Sequence, residues 1–358
     1  MDRRRLLALT GAFSLAPTSF ATAQENNADE ALRAALDHFS GKTVRVIISA
    51  AAGSGTDRSS RQFLGALRRL LPDTRLRIEN LDRAGGQIAA SELWRAAADG
   101  SVVGFPRNNL FYADLMERAT LDFTFAGFTF LGSTNRGHRV LVLGSESRFG
   151  SLDQILSGES TILASADAVN SSHYYEALLM NALTGSRIAP VPGFSGGARN
   201  MAVISGEVDC QIGSIEAVQP ILESGAGRIV FRLTSDPLPA GISDVPSLAD
   251  HLRDPAQKWA VAIIDAAAKL GRPFAGPPNM DPGVTAHWKT VFDAVVGDIV
   301  FRNASLAEDG LVIDPSPADE IEALLAEIAS KGDDLRDAVD DLLACGQRLA
   351  SGADDSCG

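Results

Sequence analysis

The chain predicts an α/β fold, with helices on both faces of mainly parallel sheets, and three observations carry that expectation. Short β-branched apolar runs alternate with helically spaced segments between residues 43 and 105, the pattern of strands covered on both faces. Glycine-rich turns stand between strand and helix at Gly53-Ser54-Gly55 and again at Gly85-Gly86. After the first residues, no stretch holds the ~18 uninterrupted apolar residues of a spanning helix, so a soluble mature chain is expected.

Residues 1–23 read as an export signal rather than as part of the fold. Arg3, Arg4 and Arg5 form a basic start, Leu6 to Leu15 a mildly apolar middle, and Ala21-Thr22-Ala23 an A-x-A cleavage site that leaves Gln24 at the new terminus. The arginines suit either a twin-arginine or a Sec signal, and both lead to the periplasm. Cleavage removes three arginines and one aspartate, taking the formal charge from −13 to −15. So acidic a surface repels nucleic acid and anionic lipid, which excludes both as primary partners.

The helix Glu30–Phe39 leads into a strand over 44–49, whose apolar run is Val44, Val46, Ile47 and Ile48. Phe63, Leu64, Leu67, Leu70 and Leu71 have helical spacing and predict a helix over 58–71. A strand over 75–79, a loop Asn80–Gly86, a helix Ile88–Ala97 and a strand Val102–Phe105 follow. Gly53 and Gly55 leave main-chain N–H groups unshielded and aim them, with the positive end of a helix, beyond the strand. An anion is the natural guest of that geometry; equally, such glycines serve simply to permit a tight turn. Gly53-Ser54-Gly55-Thr56-Asp57-Arg58 lacks the third glycine of the dinucleotide fingerprint and no Walker lysine follows, so no cofactor is expected. The paired glycines of the second loop put two such helix starts at one sheet edge, where ligands of open α/β sheets bind.

The ordered set Ala51 to Asp57, Ile78-Glu79-Asn80, Arg83 to Gly86 and Ala98-Asp99-Gly100 resembles the solute receptors of the tripartite tricarboxylate transporters, the Bug family. The resemblance continues through Ser171-Ser172-His173, Val191-Pro192, Gly196-Gly197-Ala198, Gly206 to Asp209 and Asp244 to Leu248, spanning roughly residues 43 to 325. It implies a two-lobed, type II Venus-flytrap binding protein with a mainly parallel sheet in each lobe. Residues 24–137 and 261–358 would form lobe 1 and residues 138–260 lobe 2. It further implies a monomer that captures a small organic carboxylate between the lobes and docks transiently on membrane transporter subunits. Carried over residue by residue, Gly53, Ser54, Gly55, Thr56, Asp57, Gly85 and Gly86 would grip from lobe 1. Ser171, Ser172, His173, Gly196, Gly197, Ala198 and Ser214 would grip from lobe 2. The chain departs from the family at Ser49-Ala50, where relatives carry Pro-Phe, and at Phe194-Ser195, where they carry Tyr-Lys, so the solute's identity does not transfer.

Each candidate has a structural reading beside the functional one. Asp57 is a dipole partner or a ligand contact; Ser171 and Ser172 are caps or contacts. Arg107, following a strand, is a clamp for a second carboxylate or a solvated surface residue. Phe105, Phe194 and Tyr174 line a pocket or pack in cores. The acidic segment Gly332 to Asp341 reads as a solvated helix. Cys345 and Cys357 are open to pairing, and Cys210 reads as a buried free thiol. His38, His138, His173, His251 and His287 are scattered, so no metal is expected. Two rival functions remain: a solute sensor of a signalling system, and an esterase using Ser195 in a G-x-S-x-G string. Pro190 and Pro192 count against the esterase, since proline removes ladder bonds from a central strand.

Overall fold

The computed structural model describes residues 18–116, 121–239, 242 and 244–352. Helix α1 (Thr18–Phe39) runs into β1 (Thr43–Ile48), α2 (Gly55–Leu70), β2 (Arg75–Asn80), α3 (Gln87–Trp94), β3 (Val102–Phe105), α4 (Asn109–Met116) and β4 (Thr129–Ser133). The chain then crosses to β5 (Arg139–Gly144), α5 (Leu152–Leu156), β6 (Ile162–Ser165), α6 (Ser172–Thr184), β7 (Ile188–Val191), α7 (Gly197–Ile204), β8 (Cys210–Ser214), α8 (Ile215–Glu223) and β9 (Gly227–Arg232). It returns through α9 (Lys258–Lys269) to β10 (Pro273–Gly276), and α10 (Pro282–Gly297), α11 (Ile299–Asp309), α12 (Ala318–Ser330) and α13 (Gly332–Ala350) follow.

Two five-stranded sheets result, ordered β2-β1-β3-β10-β4 and β7-β6-β8-β5-β9. In each, four strands point one way and one is reversed: β10 in the first sheet, β5 in the second. The reversed strand is the first that the chain forms on crossing from the other sheet. The crossings lie side by side, with Thr134 N–H donating to Arg272 O at 3.2 Å and Gly137 N–H to Ala268 O at 2.8 Å.

Strand periodicity explains how the sheets are covered. Val44, Val46 and Ile48 enter one core with α2, α10 and α11, whereas Ile47 faces the other. On β5, Val140 and Val142 pack under α7 and α8, while Leu141 and Leu143 enter a core that runs between the sheets through α4, α6, α9 and α13. Proline fits in β7 because β7 is an edge strand, where Pro190 deprives no neighbour of a ladder bond.

Several sequence expectations are revised. Helix α1 begins at Thr18 rather than near Glu30, because the segment before Glu30 holds no glycine or proline to stop it. Residues 1–17, with the basic and apolar parts of the expected export signal, lie outside the described residues. Helix α13 is not simply solvated: Leu335, Val339, Leu342 and Leu349 are buried. It lies so close to α6 that a Cβ on Gly346 would stand 2.0 Å from Leu178 O. Cys345 is disulfide-bonded, while its expected partner Cys357 lies outside the described residues. Cys210 is free, and burial pushes its thiol pKa up.

Candidate functional site

The first glycine turn is stapled by Asp57. Gly53 adopts φ +79°, and its N–H donates to Asp57 Oδ2 at 2.7 Å. The same carboxylate accepts from Arg61 Nε at 2.8 and 3.0 Å and from Asn80 Nδ2 at 2.8 Å. Burial alone would raise the Asp57 pKa, but Arg61, the Gly53 N–H and Asn80 outweigh it and hold the carboxyl below its ordinary value. Its charge therefore ties loop, helix and β2 together. Ser54 caps α2, its Oγ accepting the Asp57 N–H at 3.3 Å. The N–H groups of Gly55 and Thr56, at the first two helical positions, have no intrahelical acceptor.

The second turn is tighter. Ala84, Gly85 and Gly86 take successive left-handed conformations (φ 50°, 62° and 97°) before Gln87 turns right-handed. The hands alternate at Gly86 and Gln87, and the Gln87 N–H closes the turn by donating to Ala84 O. A side chain at Gly86 would meet Arg107 Cδ and Ser49 Cβ, each at 3.3 Å. Arg107 is half-buried beyond β3, and among the described residues its guanidinium has no hydrogen-bond or ion-pair partner.

The loop that follows β6 meets this turn. A Cβ on Gly85 would lie 3.0 Å from Asn170 Nδ2, and the buried Asn109 donates from Nδ2 to Gly85 O at 3.2 Å and to Asn170 O at 3.5 Å. Ser171 precedes α6 but spends its hydroxyl on Ala168 O at 2.8 Å. Ser172 and His173 begin the helix. His173 Nε2 contacts Arg199 Nη1, and Arg199 Nε lies 3.0 Å from Asp167 Oδ1. Deeper, Arg139 grips Glu176, with Nε 2.9 and 3.0 Å from its carboxylate oxygens, and Tyr112 Oη donates to Glu176 Oε1 at 3.3 Å. Burial alone would lower the Arg139 pKa, but Glu176 raises it above its ordinary value.

Burial first, then Arg199, Arg139 and Arg107, hold the His173 pKa well below its ordinary value, so the ring is neutral. The centre thus joins three arginines, at 107, 139 and 199, with the carboxylates of Asp167 and Glu176, and Glu216 at the start of α8 also acts on Arg139.

The structure brings together Gly85, Gly86, Arg107 and His173 around this centre. Gly196, Gly197 and Ala198 are exposed at the start of α7, where a Cβ on either glycine meets nothing within 4 Å. Ser214 caps α8, its Oγ accepting the Ala217 N–H at 3.4 Å. Packing claims Phe105, which meets Phe63 edge-on and Phe274 at a tilt, and Phe194, which packs under α7, while Tyr174 Oη donates to Gln347 at 3.0 Å. Asp167, Asn170, Arg199 and Asn109 were not singled out by sequence, although Arg199 is the one basic residue of its helix. The downstream histidines serve elsewhere, His251 bonding to Ser247 O at 2.9 Å and His287 lying at a tilt against His38. A cavity of about 280 Å³ lies away from these turns, among Phe111, Leu115, Leu325, Ile328 and Leu335.

No protein-family profile and no curated protein matches the chain. Among solved structures, a TctC solute binding protein from Polaromonas superposes with a TM-score of 0.63 at 15% identity, covering 87% of this chain and 98% of that one. MatC from Rhodopseudomonas palustris, solved with bound malate, gives 0.61 at 20% identity over 86% and 99%. A second R. palustris protein, solved with adipate, gives 0.63 at 20% over 85% and 97%. The chain therefore has the two-lobed fold of TctC-type solute-binding proteins.

Proposed function

We propose that this chain is a periplasmic solute-binding protein, without enzymatic activity, that captures a small carboxylate-bearing organic solute and presents it to a tripartite tricarboxylate-type membrane transporter. The solute lies between a first lobe of residues 24–137 and 261–358 and a second of residues 138–260. One carboxylate is held by main-chain donors of Gly55, Thr56 and the Gly85-Gly86 turn. Arg107 takes a second anionic group, opposite Ser172 and His173. The half-buried Arg107 guanidinium, without a hydrogen-bond or ion-pair partner among the described residues, is the observation that carries this reading: an anion neutralises it, whereas a cationic solute adds to its charge. Support also comes from the shared fold and from the malate and adipate bound by the two R. palustris proteins.

The test is a thermal-shift screen of wild type and Gly55→Val against mono-, di- and tricarboxylates, since a ligand of the folded state raises the melting temperature. A Cβ at Gly55 meets nothing nearer than Arg58 Nη2 at 3.9 Å, so the variant keeps the fold. The expected result is a shift with at least one acid, lost in the variant although its own melting temperature is unchanged. An equal shift in both proteins rejects the main-chain grip.

A further inference from the structure

Helix α13 begins on one lobe and ends on the other, which supports an inference that rests on the proposed capture of a solute between the lobes and adds a device that links them. Its root is α12, which packs on β4 and α9 and buries Ile321, Leu325 and Ile328. A single residue, Lys331, separates α12 from α13. Gly332 follows with φ +64°, and a Cβ there would meet nothing within 4 Å. A left-handed glycine in open surroundings changes its backbone angles without a side chain to obstruct it, which suits a hinge.

The two ends of α13 are held unequally. Its C-terminal half lies on α6 of the second lobe, at the close approach of Gly346 to Leu178 O. There the buried Asn181 donates from Nδ2 to Gly346 O at 3.3 Å, and Tyr174 Oη donates to Gln347 Oε1 at 3.0 Å. Prising these helices apart would break both bonds and open a tightly packed seam. The first turns are packed more loosely. The cavity of about 280 Å³ lies between Leu335 on α13 and Phe111, Leu115, Leu325 and Ile328 of the first lobe. Side chains that line a void lack contacts on one side, so this end gives way before the seam on α6 does.

We propose that α13 is a strap. Chain order places it in the first lobe, yet it travels with the second, turning about Gly332 as a third hinge point beside the two crossings at residues 134–137 and 268–272. Three connections in place of two let the lobes open and close but resist the twisting of one lobe against the other.

Distances between nitroxide labels test this. Asp341→Cys on α13 is paired either with Glu223→Cys on α8 of the second lobe or with Arg68→Cys on α2 of the first. All three positions are exposed, and the buried Cys210 stays unlabelled. Distances are measured without solute, with malate and with adipate, and binding of each acid is followed separately by thermal shift. The distance from strap to second lobe is expected to stay single and narrow in every condition, while any spread or shift from lobe motion appears between strap and first lobe. The reverse pattern overturns the proposal, and so do two narrow distances that never change. Gly346→Val breaks the seam at Leu178 and should move the spread to the pair between strap and second lobe, with circular dichroism reporting that the variant is folded. An unchanged narrow distance in the folded variant overturns the fastening, and the wild-type pairs decide the strap whether or not that variant folds. If neither acid stabilises wild type, the capture reading fails for those acids, and the solute-free distances still decide the strap.

Discussion

Gly85 of the first lobe and Asn170 of the second are in contact: a Cβ on the glycine would stand 3.0 Å from the asparagine amide. The glycine also holds φ +62°, a left-handed conformation that strains any other side chain. Gly85→Val is therefore expected to hold the lobes apart. Solution scattering should report a larger radius of gyration than wild type, and carboxylate affinity should fall by about tenfold or more. Identical scattering curves would show that this contact does not set closure.

Arg139 and Glu176 form a buried ion pair, with 8% and 1% of their side chains exposed. Removing one partner leaves the other charge buried and uncompensated, at a cost of about 3–5 kcal/mol. Glu176→Ala should lower unfolding free energy in urea by that amount. A loss below about 1 kcal/mol, the value of an exposed pair, would contradict the burial of the pair.

Asp57 gives a pH dependence of definite sign. Its folded pKa lies below the ordinary 3.8, so the unfolded chain binds the proton more readily. The stabilisation is complete above the ordinary carboxylate pKa and is lost as pH falls through the folded value. Asp57→Asn should destabilise by about 1–3 kcal/mol at neutral pH, and the gap to wild type should narrow in acid. A gap that stays constant from neutral pH to the onset of acid unfolding would mean that the carboxylate charge does not matter.

What was legible in the sequence was local. The β-branched run before Gly53, the cap at Ser54 and the glycines at 85 and 86 each encode a strand end, a helix start or a left-handed turn within a few residues. Asp57 lay open between two roles because its partner Asn80 comes from another strand. Asn170 acquires meaning only when the second sheet is folded against the first, and Arg199 and Asp167 only when α7 is folded against the loop after β6; nothing at i+3 or i+4 announces them. The four-residue strand at Pro273–Gly276 has no alternating pattern, yet it fills the reversed place in the first sheet. Helix α13 carries acidic residues on one side, which concealed the apolar side that packs on α6.

Titration calorimetry of wild type and Arg107→Gln with malate and adipate bears most directly on the site. Binding by wild type with one site per chain is expected, weakened in the variant by the roughly 1.5–3 kcal/mol of a charge-assisted contact, or about 10- to 100-fold. Unchanged affinity in the variant, or no binding of any carboxylate by wild type, would contradict an anion held between the lobes at Arg107.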